Sequence, residues 1–363
     1  MSFESIIKEN EYWIENTWKK LDRKLSRTAV KSRNKIPYTV KDGIHDDKKD
    51  NITWWTNGFW GGLMWLMYEA TKNPEYATTA KTSERLLEKG FDEIDGLHHD
   101  VGFMWHLTSG ANYRLTGDRK ARLRNLYAAS TLASRYNVRG DYIQAWNGEA
   151  QFGYSIIDCL MNLPLLYWAS DELEVPRFRD IAIRHMDMAL RDHIRPDGST
   201  NHIVDHFRDC PGVKEILGGQ GYSATSCWSR GLAWAVYGSV LAYIHVGDDR
   251  YLEAARRTAD YFLERVAKTG GAVVSCGGGA VLRPENVELM KQSGKIIFLS
   301  ATPETIYERV KHSTNRPLLN GNMNVEYIRG LMERRRETYE NAADVVISTD
   351  GKWKSQIVEE ILG

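Results

Sequence analysis

The chain has 363 residues, enough for two domains of ordinary size or one large one. Apolar residues make up 42% and charged residues 26%, which excludes a mainly disordered chain. The 48 basic and 48 acidic side chains cancel, so no global field holds a polyanion and a dedicated nucleic-acid binder is not expected.

The first ten residues, MSFESIIKEN, contain no apolar core of a signal peptide. From there to about residue 269 the periodicity predicts helix after helix. Trp60–Tyr68 is expected to pair with Ala77–Leu87, and Gly110–Leu115 with Ala121–Tyr136. Ile156–Trp168 is expected to pair with Arg177–Arg191, and Arg230–Val246 with Tyr251–Val266. Such pairs hide one face each by stacking on their neighbours, as in a solenoid or a closed helical toroid. The run Gly231–Val246 carries no formal charge. It is shorter than the roughly 18–20 residues that span a bilayer and holds Ser239 and His245, so it reads as a buried helix with no membrane partner.

After Gly270-Gly271 the pattern changes to alternating strands and helices. Ala272–Cys276, Lys295–Leu299 and Val345–Ile347 read as strands. Helices are expected from Pro284 to about Ser293, from Thr302 as N-cap with Pro303 behind it, after a loop over Ser313–Asn322 in a long helix ending near Tyr339, and over Ser355–Leu362. That alternation implies a parallel sheet, and it puts a domain boundary between residues 269 and 270. The four cysteines, Cys159, Cys210, Cys227 and Cys276, form no CxxC pair. They predict reduced, mostly packed thiols, a cytoplasmic location and no metal or cofactor.

Eleven of the twelve tryptophans precede residue 235. Indole faces suit the C–H surface of sugars, although core packing explains any one of them equally simply. Asp158 is a lone acid in an apolar stretch, with Tyr154 and Asn162 four residues to either side as hydrogen-bond partners on a helix. Burial would keep such an acid able to donate a proton near neutral pH; the alternative is a structural carboxylate fixing a loop. Asp100, in His98-His99-Asp100, fits a second carboxylate, a metal ligand or a loop hydrogen-bond network. Two carboxylates among aromatics on a helical toroid suit glycoside chemistry.

Five motifs carry a resemblance: Trp55-Thr-Asn-Gly-Phe-Trp60, His98-His-Asp-Val-Gly-Phe103, Gln144-Ala-Trp146, Ile156-Ile-Asp-Cys-Leu-Met-Asn-Leu-Pro-Leu165 and Ser229-Arg-Gly-Leu-Ala-Trp234. In this order residues 1–269 resemble the unsaturated glucuronyl hydrolases, glycoside hydrolase family 88. The resemblance implies an (α/α)6 barrel, here without its last helices, that removes 4,5-unsaturated uronic acids from lyase-generated oligosaccharides by hydrating the enol-ether double bond. It implies Asp158 as general acid/base and Asp100 as the second essential carboxylate, with His99 beside it. Trp60, Trp146, Trp228 and Trp234 are the candidate sugar walls, and His202, Gln220 and Arg230 the candidate polar contacts. A guanidinium at Arg230 suits a uronate carboxylate, which it can bind at two points.

Residues 270–363 resemble the C-terminal half of shikimate kinase through Gly277-Gly278-Gly279, Arg316-Pro-Leu-Leu319 and Arg335 with the stretch to Asp344. No GxxxxGK[ST] loop stands in the chain, so the resemblance implies a kinase remnant that is inactive as a phosphotransferase. The expected class is therefore mainly α: an incomplete (α/α)6 barrel followed by a small α/β parallel-sheet fragment of P-loop kinase type. The function expected is the hydrolase. The alternatives are a phosphotransferase label from the second segment and a non-catalytic sugar-binding helical protein.

Overall fold

The computed structural model describes residues 11–268, 280–282, 284–292, 294–311 and 323–362. The expected strand Ala272–Cys276, the run Gly277–Gly278–Gly279 and Arg316 lie outside the described residues. The chain divides into two compact units, one ending at Tyr261 and the other beginning at Phe262.

In the first unit, α1 (Glu11–Lys31) is followed by a short antiparallel hairpin, β1 (Val40–Lys41) and β2 (Ile44–His45). Helices α2 (Asn57–Thr71) and α3 (Pro74–Leu87) come next. The sequence dictates the break between them. Lys72 closes α2 in the left-handed conformation, Asn73 accepts from the Glu75 N–H, and Pro74 occupies the first helical turn. A wide π-type helix, Gly102–Gly110, runs into α4 (Ala111–Thr116), and Gly117 ends it. Asp118 then caps α5 (Arg119–Ser134) by accepting from the N–H groups of Lys120 and Ala121.

After the hairpin β3 (Tyr136–Asn137) and β4 (Tyr142–Ile143), strand β5 (Tyr154–Ile156) leads into a 3-10 turn over Ile157–Met161, then α6 (Leu163–Leu173) and α7 (Arg177–Met188). Strands β6 (Ile203–His206) and β7 (Val213–Leu217) complete an antiparallel sheet ordered β5-β6-β7. Helix α8 (Ser229–Val246) is followed by α9 (Asp249–Lys268), whose residues to Tyr261 belong to the first unit and the rest to the second. Strand β5 corrects the expected helix from Tyr154. Ile156 pairs with Ile203 and Tyr154 with Asp205, so β6, nearly fifty residues on, supplies ladder partners that local periodicity cannot register. Helix α8 is buried on one stripe, Gly231, Leu232, Ala235, Gly238, Ser239 and Ala242, while Tyr237 and Ile244 are exposed. No helix among the described residues is long and apolar enough to cross a membrane. Cys159 is a packed free thiol, but Cys210 is free and exposed, contrary to the expectation of packing.

The second unit holds α10 (Pro284–Lys291), β8 (Ile297–Ser300), α11 (Pro303–Val310), α12 (Val325–Ala342), β9 (Val345–Ser348) and α13 (Lys354–Leu362). β8 and β9 pair in parallel, Ile297 against Val345 through Ser300 against Ser348. Thr302 caps α11 by accepting from Thr305, as its place before Pro303 predicts. Val310 and Ile328 make the small core between α11 and α12.

One buried acid ties the first helices together. Glu84, on α3, is 1% exposed and accepts from Trp65 Nε1 (2.8 Å), Ser109 Oγ (3.1 Å) and Asn112 Nδ2 (3.1 Å). Its partners come from α2, the π-type helix and α4. Glu84→Ala leaves three buried donors unsatisfied, and we expect it to lower unfolding stability by about 3 kcal/mol. Glu84→Gln, which keeps an acceptor, should lose less; urea unfolding followed by circular dichroism measures both.

Candidate active site

Three segments build the site: the turn before the π-type helix, the 3-10 turn after β5, and the start of β6 with the loop after β7. Asn162 joins the first two. Its Oδ1 accepts from the Phe103 N–H at 2.9 Å, while Nδ2 lies 3.4 Å from Asp100 Oδ1 and 3.5 Å from the Asp158 carbonyl. Gly102 makes that approach possible, because a Cβ there would meet Asn162 Oδ1 at 2.6 Å. The expected bond from Asn162 to the Asp158 carboxylate does not form. Asp158 stands on a 3-10 turn, whose different winding directs Asn162 to Asp100 and to the Asp158 backbone.

Asp100 is 7% exposed and His99 1%. The His99 Nδ1–H donates to the Ala145 carbonyl at 2.9 Å, which leaves Nε2 facing Asp100 Oδ1 at 3.2 Å. His98 Nδ1 lies 3.2 Å from Asp100 Oδ2. Burial alone would raise the Asp100 carboxyl, but the flanking imidazoles outweigh it and hold the group well below the ordinary carboxylate range. Burial pulls His99 down, yet the Asp100 charge and hydrogen bond leave it above its ordinary 6.5. Arg135 pins this loop through the carbonyls of Leu97, Gln144 and Ala145. His98, His99 and Asp100 also form a group whose ligand atoms lie within 4.8 Å of one another and could hold a metal ion. In that arrangement the carboxylate already has an imidazole on each oxygen.

Asp158 faces this pair from the other turn. Its Oδ2 lies 3.6 Å from His202 Nε2, and both atoms are buried without a hydrogen-bond partner among the described residues. His202 Nδ1 accepts from the Gln220 N–H at 2.9 Å, so Nε2 carries the hydrogen that points toward Asp158. Gly219, at φ +56°, allows the chain to pass that close, since any Cβ there would collide with the His202 ring. The His202 ring packs against Trp228 with centroids 4.3 Å apart, and the Arg230 guanidinium lies 4.3 Å from the centroid of the Trp228 ring. Gln220 Oε1 accepts from Arg230 Nη2 at 2.8 Å.

The structure thus brings together Asp100, His99, Asp158, His202, Gln220, Trp228 and Arg230. Trp146 joins them against His99, with ring centroids 5.8 Å apart, and Trp234 lies 5.8 Å from Phe103. Trp60, an expected sugar wall, is buried in a separate core cluster with Ala29, Met64, Trp65 and Tyr76. Trp55 is the indole that reaches the site, 5.8 Å under Arg230 and 5.7 Å from Phe103. The Trp-Thr-Asn-Gly-Phe-Trp motif contained both indoles, and its place just before the helix start was the available signal. In the second unit, Arg335 Nη1 donates to Tyr339 Oη at 3.3 Å. Its expected partners are outside the described residues.

Chemically, the two carboxylates sit at the buried end, while Gln220 and Arg230 are exposed at the rim. That suits a small anionic ligand entering acid-last. The raised His99 has a stability consequence. Its ion pair with Asp100 contributes fully below about pH 6.5 and is lost as pH rises through the raised folded value. We expect the urea midpoint to fall as pH rises above about 6.5 through the raised folded value, and His99→Gln to remove that slope.

The model of Glycosyl Hydrolase Family 88 matches residues 28–243, and that of Shikimate kinase matches residues 248–363. The unsaturated glucuronyl hydrolase of Bacillus sp. (strain GL1) is 36% identical over 251 residues, covering 68% of this chain and 66% of that protein. The unsaturated chondroitin disaccharide hydrolase of Streptococcus pneumoniae is 32% identical, covering 77% of this chain and 73% of its own. A shikimate kinase of Dehalococcoides mccartyi is 31% identical over 121 residues, 33% of this chain and 68% of the kinase. This chain therefore spans about two thirds of the length of these relatives. The crystal structure of the Bacillus sp. GL1 hydrolase, described as responsible for the degradation of glycosaminoglycan, superposes with a TM-score of 0.63 at 25% identity over 86% of this chain and 94% of that one. Such neighbours are (α/α)6 barrel enzymes, in accord with the stacked helix pairs of the first unit. The chain belongs to glycosyl hydrolase family 88, continued by a C-terminal segment of the shikimate kinase family.

Proposed function

We propose that the chain removes a 4,5-unsaturated uronic acid from the end of an oligosaccharide by hydrating its double bond. The observation that carries this reading is the pair of unpartnered, buried polar atoms Asp158 Oδ2 and His202 Nε2, 3.6 Å apart and opposite the Asp100–His99 ion pair. Protonated Asp158 donates to C4 of the enol ether, and positive charge develops at C5. Asp100, held ionised, favours that charge electrostatically. Water then adds to C5 and returns its proton to Asp158. The hemiketal so formed opens between C5 and the ring oxygen, and the hemiacetal left at C1 collapses and frees the remaining sugar. His202 orients the Asp158 carboxyl, and Arg230, stacked on Trp228, pairs with the uronate carboxylate at the rim.

Two measurements test the reading, both following loss of the conjugated chromophore of an unsaturated disaccharide. Asp158→Asn keeps the shape of the side chain but cannot transfer a proton, and turnover should fall by about 10²–10⁴-fold with binding retained. Turnover at the parent rate would remove Asp158 from catalysis. Arg230→Met should weaken binding of the uronate by about 1.5–3 kcal/mol while affecting a neutral sugar analogue little. Equal losses for both ligands would remove Arg230 from carboxylate recognition.

A further inference from the structure

α1 places Lys20, Arg23, Lys24, Arg27 and Lys31 at spacings of three and four residues, so they share one face of the helix. With Lys35 and the tip of the β1–β2 hairpin they line a groove of about 580 Å³. No aspartate or glutamate lines it. The groove has a polar floor in Thr28 and Ser32, the latter only 2% exposed. Lys35 Nζ donates to the His45 carbonyl at 2.7 Å and so holds the hairpin against the end of the helix.

Of the nearby acids, Asp42 stands exposed at the hairpin tip beside Gly43, and three others are engaged elsewhere. Asp22 turns toward the core and accepts from Tyr76 Oη at 2.6 Å. Asp46 accepts from the N–H groups of Tyr38 and Thr39, and Asp47 from that of Ile36. Among the described residues, Arg23, Lys24, Arg27 and Lys31 have no carboxylate at ion-pair distance. Like charges stacked at these spacings destabilise a helix, so the arrangement is costly without a counter-charge.

We propose that this groove binds an acidic polysaccharide through its carboxylate or sulfate groups, at a site separate from that around Asp158. From Lys20 to Lys31 the stripe runs roughly 16 Å along the helix, long enough to meet more than one anionic group in succession. Its two guanidiniums suit carboxylate and sulfate oxygens in bidentate fashion. No Phe, Tyr or Trp lines the groove and His45 is its one ring, so it offers no run of stacking platforms for successive nucleic-acid bases. The inference does not depend on the catalytic reading, because none of its residues touches that site.

The test is calorimetric titration of the full chain with three octamers: a sulfated glycan of heparin type, an unsulfated polyuronate, and a single-stranded DNA. The parent chain should bind at least one glycan, more weakly as salt rises. The variant R23Q/R27Q/K31Q, with a melting temperature no lower than the parent's, should bind it about tenfold more weakly and still turn over an unsaturated disaccharide at the parent rate. Preference between the two glycans assigns sulfate or carboxylate as the recognised group. Undiminished glycan binding by the variant, no glycan binding by the parent, or tighter binding of the DNA than of either glycan would each overturn the proposal.

Discussion

Asn162 is the constraint on which the site depends. Two carboxylates that approach each other repel, and each on its own turn would drift toward solvent. Asn162 prevents this by presenting its amide to Asp100 and to the Asp158 backbone, while its carbonyl is anchored on the Phe103 N–H. All of this happens where Gly102 removes the side chain that would otherwise keep the two segments apart. A buried amide with every group engaged is rigid, so the turn carrying Asp158 keeps a defined distance from the Asp100–His99 pair.

Around that anchor the charges are graded. Asp100 is kept ionised by imidazoles despite its burial, whereas Asp158 has an unsatisfied oxygen facing only His202. The two acids therefore sit in different environments, the usual physical basis for giving two carboxylates different roles. Farther out, Trp55 and Trp228 sandwich Arg230 and hold a charged side chain at an exposed rim without a buried ion pair. The same economy of local fields applies to α1. A chain with zero net charge still concentrates five cations on one helix face, because net charge is a sum and says nothing about placement.

The sequence by itself determined the helical character of the first unit and the strand–helix alternation of the second, and it named most of the residues that the structure brings close to Asp100 and Asp158. Amphipathic stripes and caps are local: Asn73-Pro74, Asp118 and Thr302-Pro303 carry their own start signals, and the helices begin where these residues stand. Asp100, Asp158 and Arg230 stand within long motifs, whereas His202 and Trp228 are candidates only through the family resemblance. Only the tertiary structure decided that Tyr154–Ile156 is a strand, that Asn162 serves Asp100, and that Trp55 lies beside Arg230 and Phe103 while Trp60 is buried in a separate core. Each of those outcomes rests on a partner distant in the chain: β6 for the strand, Gly102 for the amide, Arg230 and Phe103 for the indole. A hydrogen-bond ladder or a ring contact across tens of residues leaves no periodicity in either segment, so it becomes legible only when folding brings the two together.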